Sequence, residues 1–219
     1  MVTEHFKGTA VLCDFDGTIA NIDTAEKALD MFADPSWRRI EEGFEKGDVS
    51  FEDSLQREYA MISASPETIL KELDRFTLLR PNFDTLVDYC KSRNLPLVVV
   101  SGGLDFCIEH FLGRDGWLNF IALHAPKTRR VGNGYEVSFP KTVNSSSKDF
   151  KEDLVMLHKD KGERVLFVGN GRGDFQAAKR SHYAFAIKNS RLAKLCKSNG
   201  VACKEMEDFQ DVVDLVRSF

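Results

Sequence analysis

No apolar run in this sequence approaches the length of a membrane span, and its first residues, Met1 to Gly8, lack the apolar centre of a secretory signal. Both absences lead to the expectation of a cytoplasmic chain with no membrane partner. Cysteine is sparse: Cys13, Cys90, Cys107, Cys196 and Cys203 are odd in number, scattered and without C-x-x-C spacing, which argues against a disulfide framework and a zinc site. The five histidines contain no H-x-x-x-H pair, so zinc hydrolase chemistry is not supported either. Positive charge is also short. At a formal net charge of -4 the chain offers no broad attraction to nucleic acid, and an anionic substrate has to be held locally, by a metal, a lysine or a helix N-terminus. Internal repeats and low-complexity tracts are missing. What remains, 219 residues with 42% hydrophobic content, suffices for one full core or a core plus a small second lobe.

The most informative stretch is Ala10-Val11-Leu12-Cys13-Asp14-Phe15-Asp16-Gly17-Thr18. Its short apolar run reads as a strand buried on both faces, as in the middle of a parallel sheet. Side chains two apart on a strand share a face, so Asp14 and Asp16 are expected to project together from the strand tip while Phe15 turns away. Cys13, beside the acids, is expected to point away from Asp14 and to act as a small buried hydrophobe.

From Asn21 to about Leu79 the pattern is helical. Ala25, Leu29 and Phe32 mark one apolar face and Trp37, Ile40 and Phe44 a second; Ser50 with Asp53, and Ser65 before Pro66, read as helix starts. Strand and helix then alternate. A helix through Leu86 leads to Leu95–Val100, which ends in Ser101-Gly102-Gly103; Ile121 to Phe139 reads as a hairpin about Gly132-Asn133-Gly134. A helix from about Asp149 precedes the buried run Arg164–Val168, which ends in Gly169-Asn170-Gly171-Arg172-Gly173-Asp174. Tyr183–Ile187 and Val201–Cys203 read as further strands and Phe209–Val216 as a closing helix. A parallel sheet places all the polar loops that follow its strands along one edge.

These loops suggest phosphoryl chemistry. A carboxylate such as Asp14 can attack phosphorus and split hydrolysis into two displacements. The target is dianionic, so Mg²⁺, an ion of oxygen ligands, suits the site, with the Asn170 and Asp174 side chains completing it. Asp16, protonated beside a second carboxylate, could protonate the leaving oxygen. Ser101 and the N–H groups of Gly102 and Gly103 would hold phosphate oxygens. Lys148 and Lys151 are the candidates for balancing charge.

In this order and spacing the residues resemble the haloacid dehalogenase superfamily of phosphatases: Asp14–Thr18 matches its first motif, Ser101 its second, a lysine its third and Gly169–Asp174 its fourth. The resemblance implies a Rossmann-like α/β core, residues 1–20 and 80–219, whose parallel sheet is flanked by helices. It also implies a small all-helical cap of the C1 type inserted after the first strand, residues 21–79. Glu45–Leu55 and Val100–Phe106 look like the phosphoserine phosphatase branch, and Ser101–Phe106 is similar to that branch's methionine-salvage phosphatases, which act on 2-hydroxy-3-keto-5-methylthiopentenyl-1-phosphate. Carried over, Asp14 is nucleophile and metal ligand, Asp16 is general acid/base and gives its backbone carbonyl to Mg²⁺, and Ser101 binds phosphate. Lys151, followed by Leu154-Val155, fits the third motif's phasing better and is preferred, while Lys148 has the more usual spacing. Two departures stand out. Asn170 replaces an aspartate, which removes a charge from the metal site, loads Asp174 and leaves open a catalytically weakened member that only binds a phosphorylated ligand. Glu58 lies seven residues after Phe51, where phosphoserine phosphatases carry an arginine, and Asp23 stands where they often carry glutamate. The expected partner is thus a small phosphorylated metabolite without a carboxylate, with phosphoserine as the alternative; exposed aromatics on the insert leave a homodimer open.

Overall fold

The computed structural model describes residues 5–219. The chain opens with β1 (Gly8–Cys13) and passes through four helices, α1 (Thr24–Phe32), α2 (Trp37–Lys46), α3 (Phe51–Tyr59) and α4 (Pro66–Leu73). It continues through α5 (Phe83–Ser92), β2 (Leu97–Val100), α6 (Asp105–Gly113), β3 (Ala122–His124) and a hairpin of β4 (Lys127–Val131) and β5 (Gly134–Ser138). The last part is α7 (Phe150–Asp160), β6 (Glu163–Gly169), α8 (Phe175–Arg180), β7 (Tyr183–Ile187), α9 (Arg191–Ser198), β8 (Lys204–Met206) and α10 (Gln210–Arg217). Among the described residues no helix is long and apolar enough to cross a membrane.

Six strands pair in parallel in the order β3-β2-β1-β6-β7-β8. The central strand is apolar because both its faces are covered. Val11 and Cys13 pack with Val99, Leu166 and Val168 under α5, α6 and α10, whereas Ala10 and Leu12 pack with Val98, Val100 and Phe167 under α7, α8 and α9. This is the two-periodicity of a strand read from both sides. Chain order reverses between β1 and β6, and in open α/β sheets ligands bind outside the carboxyl ends of the strands at that reversal. Cys13 is in register with Val99 on one side and Val168 on the other, so the loops after β1, β2 and β6 leave the sheet side by side.

The helical insert enters and leaves through paired backbone. Ala20 bridges Leu79, the Asn21 N–H donates to the Leu78 carbonyl at 2.9 Å, and the Arg80 N–H donates to the Ile19 carbonyl at 2.7 Å. Its expected helix starts are present: Ser50 Oγ accepts the Asp53 N–H and Ser65 Oγ the Thr68 N–H. Two expectations need correction. The segment Ile121–Phe139 is more than a hairpin, because Ala122–His124 splits off as the edge strand β3 before the hairpin proper begins. The last strand is Lys204–Met206 instead of Val201–Cys203; it is an edge strand with only Met206 buried, so charge, not an apolar run, marks it. The hairpin reaches the insert, with Tyr135 Oη donating to the Ala64 carbonyl at 2.9 Å.

Candidate active site

Asp14 continues β1 by one residue, extended at φ -69° and ψ 158°, with its N–H donating to the Val168 carbonyl at 2.8 Å. The backbone then turns sharply at Gly17, whose φ of +67° suits glycine and whose missing side chain makes room for the Asn170 amide. Arg80 braces this turn by donating to the carbonyls of Gly17 and Thr18 at 2.9 and 2.7 Å. Asp16 therefore sits in the turn and not on the strand, yet both acids are buried and line one cavity. Phe15 points the other way and stacks on Phe111, and the Cys13 thiol is fully buried, which pushes its pKa well up and leaves it inert.

Lys151 lies in the first turn of α7, whose start is capped by Asp149 accepting the Glu152 N–H. Its ammonium donates to Asp14 Oδ1 at 2.8 Å and to Asp174 Oδ1 at 2.7 Å, with all three side chains buried. Burial alone would lower the lysine pKa, but the two carboxylates raise it above its ordinary value. On Asp14 the balance goes the other way: burial and then the neighbouring Asp174 carboxylate lift its pKa to about 7 against the pull of Lys151. Asp16 is also lifted, by burial, while Thr24 donates to its Oδ1 from both N–H, at 2.8 Å, and hydroxyl. Burial, ahead of any neighbouring carboxylate, is thus the largest cause of the rise at Asp16. Lys148, by contrast, is exposed and does not line the cavity.

Ser101 is fully buried, with Oγ 3.5 Å from Asp16 Oδ2. The Gly103 N–H is not free as expected from the sequence, since it donates to Ser101 Oγ at 3.1 Å and so orients the hydroxyl. The helix that follows begins only at Asp105. Gly102 and Gly173 admit Phe51 from the insert; a side chain on Gly102 would come within 2.6 Å of its ring. Tyr59 Oη ties the same loop to the insert by donating to the Gly102 carbonyl at 2.9 Å.

Three carboxylates, Asp14, Asp16 and Asp174, face one ammonium here, so when ionised they carry two uncompensated negative charges. An all-oxygen donor set with surplus negative charge fits a hard divalent cation such as Mg²⁺. Asp14 Oδ2 has only a long 3.4 Å contact from Thr18 Oγ1, which also donates to Asn170 Oδ1 at 3.0 Å. Asp174 is more committed: Oδ1 accepts from Lys151 and Oδ2 from the N–H groups of Asn170 and Gly171, both at 2.9 Å. Among the described residues no group of three or more His, Cys, Asp or Glu is arranged as a metal cage, so any such site depends on the Asn170 amide oxygen and main-chain carbonyls.

The cavity, about 340 Å³, runs from these loops to the insert. Its far wall carries Trp37, Leu29 and Leu55 together with Asp23, Glu26, Glu41 and Glu58. Asp23 caps α1 by accepting the Glu26 N–H at 2.8 Å, and burial followed by Asp16 raises its pKa well above the carboxylate range. Glu58 is only 3% exposed and its Oε1 has no hydrogen-bond partner among the described residues. Burial, then Glu41, pushes its pKa to about 8. The structure thus brings together Asp14, Asp16, Ser101, Gly102, Gly103, Lys151, Asn170 and Asp174, with Asp23 and Glu58 on the opposite wall, and leaves Lys148 outside. Thr24, Arg80 and Glu41 were not foreseen as parts of it; each acts through a side-chain bond between separate elements that leaves no periodic signal.

The sequence pattern of the haloacid dehalogenase-like hydrolases matches residues 11–179. The chain belongs to that family of hydrolases. A relative from Exiguobacterium sibiricum named 2-hydroxy-3-keto-5-methylthiopentenyl-1-phosphate phosphatase is 25% identical over 210 residues, covering 93% of this chain and 94% of its own. One of the same name from Geobacillus kaustophilus is 25% identical and covers 96% of each chain. The fold is similar to that of a substrate-bound phosphoserine phosphatase, with a TM-score of 0.70 at 17% identity over 96% of this chain and 99% of the other.

Proposed function

We propose that the protein is a Mg²⁺-dependent phosphatase that hydrolyses a small phosphate monoester through an aspartyl phosphate on Asp14. The observation that carries this reading is the buried contact of Lys151 with Asp14 and Asp174 at 2.8 and 2.7 Å, beside Ser101 and Asp16. An Asp14 oxygen attacks phosphorus as the bond to the leaving oxygen breaks, and Asp16 delivers its proton to that oxygen. Water then attacks the phosphorus, Asp16 takes up its proton, and the bond to Asp14 breaks to release phosphate. Lys151 favours the ionised form of Asp14 and offsets phosphoryl charge, while the Ser101 hydroxyl holds a phosphoryl oxygen. Asp14, the Asp16 main-chain carbonyl and Asn170 would hold Mg²⁺, with Asp174 adding charge beside them, and the ion would supply charge neutralisation between nucleophile and phosphate.

The acidic far wall disfavours a carboxylate on the leaving group, and with it phosphoserine. The ester named for the relatives carries hydroxy, keto and methylthio groups and is the natural reference compound; at 25% identity it does not define this chain's leaving group. Hydrolysis of p-nitrophenyl phosphate with and without Mg²⁺ tests the reading: metal-dependent turnover is expected, and its absence would favour a ligand-binding role. Asn170 itself yields a prediction. Asn170→Asp adds a charge while keeping the oxygen that Thr18 reaches, so the Mg²⁺ concentration for half-activation should fall on the order of tenfold. An unchanged requirement would place Asn170 away from the ion.

A further inference from the structure

The least explained group in the cavity is Glu58. It is buried in α3, lines the cavity and leaves Oε1 with neither solvent nor a hydrogen-bond partner among the described residues. Its neighbours make this worse. Glu41 from α2 shares a carboxyl hydrogen bond with it and repels its charge, Glu26 from α1 repels it too, and the exposed Arg57 of its own helix opposes them. A buried acid paired with a second acid and with no buried cation beside it is rare in folded proteins, and this one points to an occupant that brings positive charge.

We infer that Glu58 and Glu41 form a receptor for a protonated nitrogen, so that the enzyme acts on phosphate monoesters whose leaving group carries an ammonium. This rests on the phosphatase reading above and narrows it to one substrate class. The charge around the receptor agrees. Asp23, Glu26 and Glu45 also line the cavity, and of its two arginines Arg191 is paired with Glu45 at 2.7 Å, while Arg172 lies over the Phe44 ring on the fourth-motif loop. The far wall therefore keeps a surplus of negative charge that an ammonium would offset and a carboxylate would aggravate. Trp37, Leu29 and Leu55 offer the carbon skeleton an apolar surface, and a cavity of about 340 Å³ limits it to a small molecule. Without ligand, Glu58 holds a proton up to a pH of about 8, which satisfies the pair; an entering ammonium takes that proton's place. Binding should accordingly release a proton below that pH.

The test uses three esters with the same two-carbon frame: 2-aminoethyl, 2-hydroxyethyl and carboxymethyl phosphate. The wild type with Mg²⁺ should favour the amine over the hydroxyl compound on the order of 100-fold in kcat/KM and the carboxylate least. The ratio of KM for the hydroxyl to that for the amine ester should rise from pH 6.5 to 8 and then level off, a measurement that needs no variant. Glu58→Gln, nearly isosteric, should bring that ratio close to one and flatten its pH dependence, and Glu41→Gln should do the same in part. Equal turnover of the amine and hydroxyl esters, or an amine preference that survives Glu58→Gln, would overturn the receptor while p-nitrophenyl phosphate turnover left the phosphatase reading standing. No metal-dependent turnover of any ester would overturn both.

Discussion

Asp14→Asn should abolish phosphate release, by on the order of 10⁴-fold or more, without weakening the metal-free fold. The activity loss follows from chemistry: an amide cannot open the first displacement, and no other carboxylate stands in the same contact with Lys151 except Asp174, whose oxygens are already taken. The stability half follows from proton linkage. Asp14 has a pKa raised from 3.8 to about 7 by burial and by Asp174, so its favourable contribution to folding is present at low pH and is lost as pH rises through about 7. At pH 8 the folded protein therefore bears a repulsive cost that Asn removes, while Lys151 keeps its bond to Asp174. Metal-free thermal unfolding at pH 8 should give a midpoint equal to or above that of the wild type, and the difference should shrink towards pH 4. A variant that retains turnover would exclude Asp14 as nucleophile, and one that unfolds early would mean that its charge is better compensated than burial and Asp174 imply.

The sequence exposes the parts of this site that recur along the chain at strand ends. Ala10–Cys13 had to be a doubly covered strand, and a doubly covered strand that ends in acids had to meet the loops of its parallel neighbours. Helix starts at Ser50 and Ser65 were readable because a cap is a local bond between residues three apart. Edge strands were not, since β3 and β8 are held by backbone pairing on one side and carry little apolar pattern. The choice between Lys148 and Lys151 depended on helix phase: only a residue inside the first turn of α7 turns inward to Asp14, and Lys148 precedes the Asp149 cap. Least legible were the contacts that tune the site. Thr24 on Asp16, Arg80 on the turn at Gly17 and Glu41 beside Glu58 join residues from different elements, and their positions follow from packing, not from periodicity.

Lys151→Met should have the largest effect on stability. The lysine is 3% exposed and is the ammonium shared by two buried carboxylates, so removing it leaves both without their cation. Breaking one side of a buried ion pair typically costs about 3–5 kcal/mol, far more than the exposed pairs elsewhere on this surface, where about 0–1 kcal/mol is usual. The extra apolar contact of methionine offsets only part of it, because the loss arises from uncompensated charge instead of a cavity. The sign with pH is fixed by the same carboxylates. Without Lys151 the Asp14 pKa rises further, its protonated form carries the folded state at low pH, and the deficit grows as pH increases from about 5 to 8. Urea unfolding of the metal-free variant at both pH values reads this directly. Adding Asp14→Asn to Lys151→Met removes one of the orphaned charges and should recover part of the loss, which a purely steric effect of methionine would not allow. A deficit that is independent of pH and unrelieved in the double variant would mean that Lys151 supports the fold by packing, and that the charge balance assigned to this site is wrong.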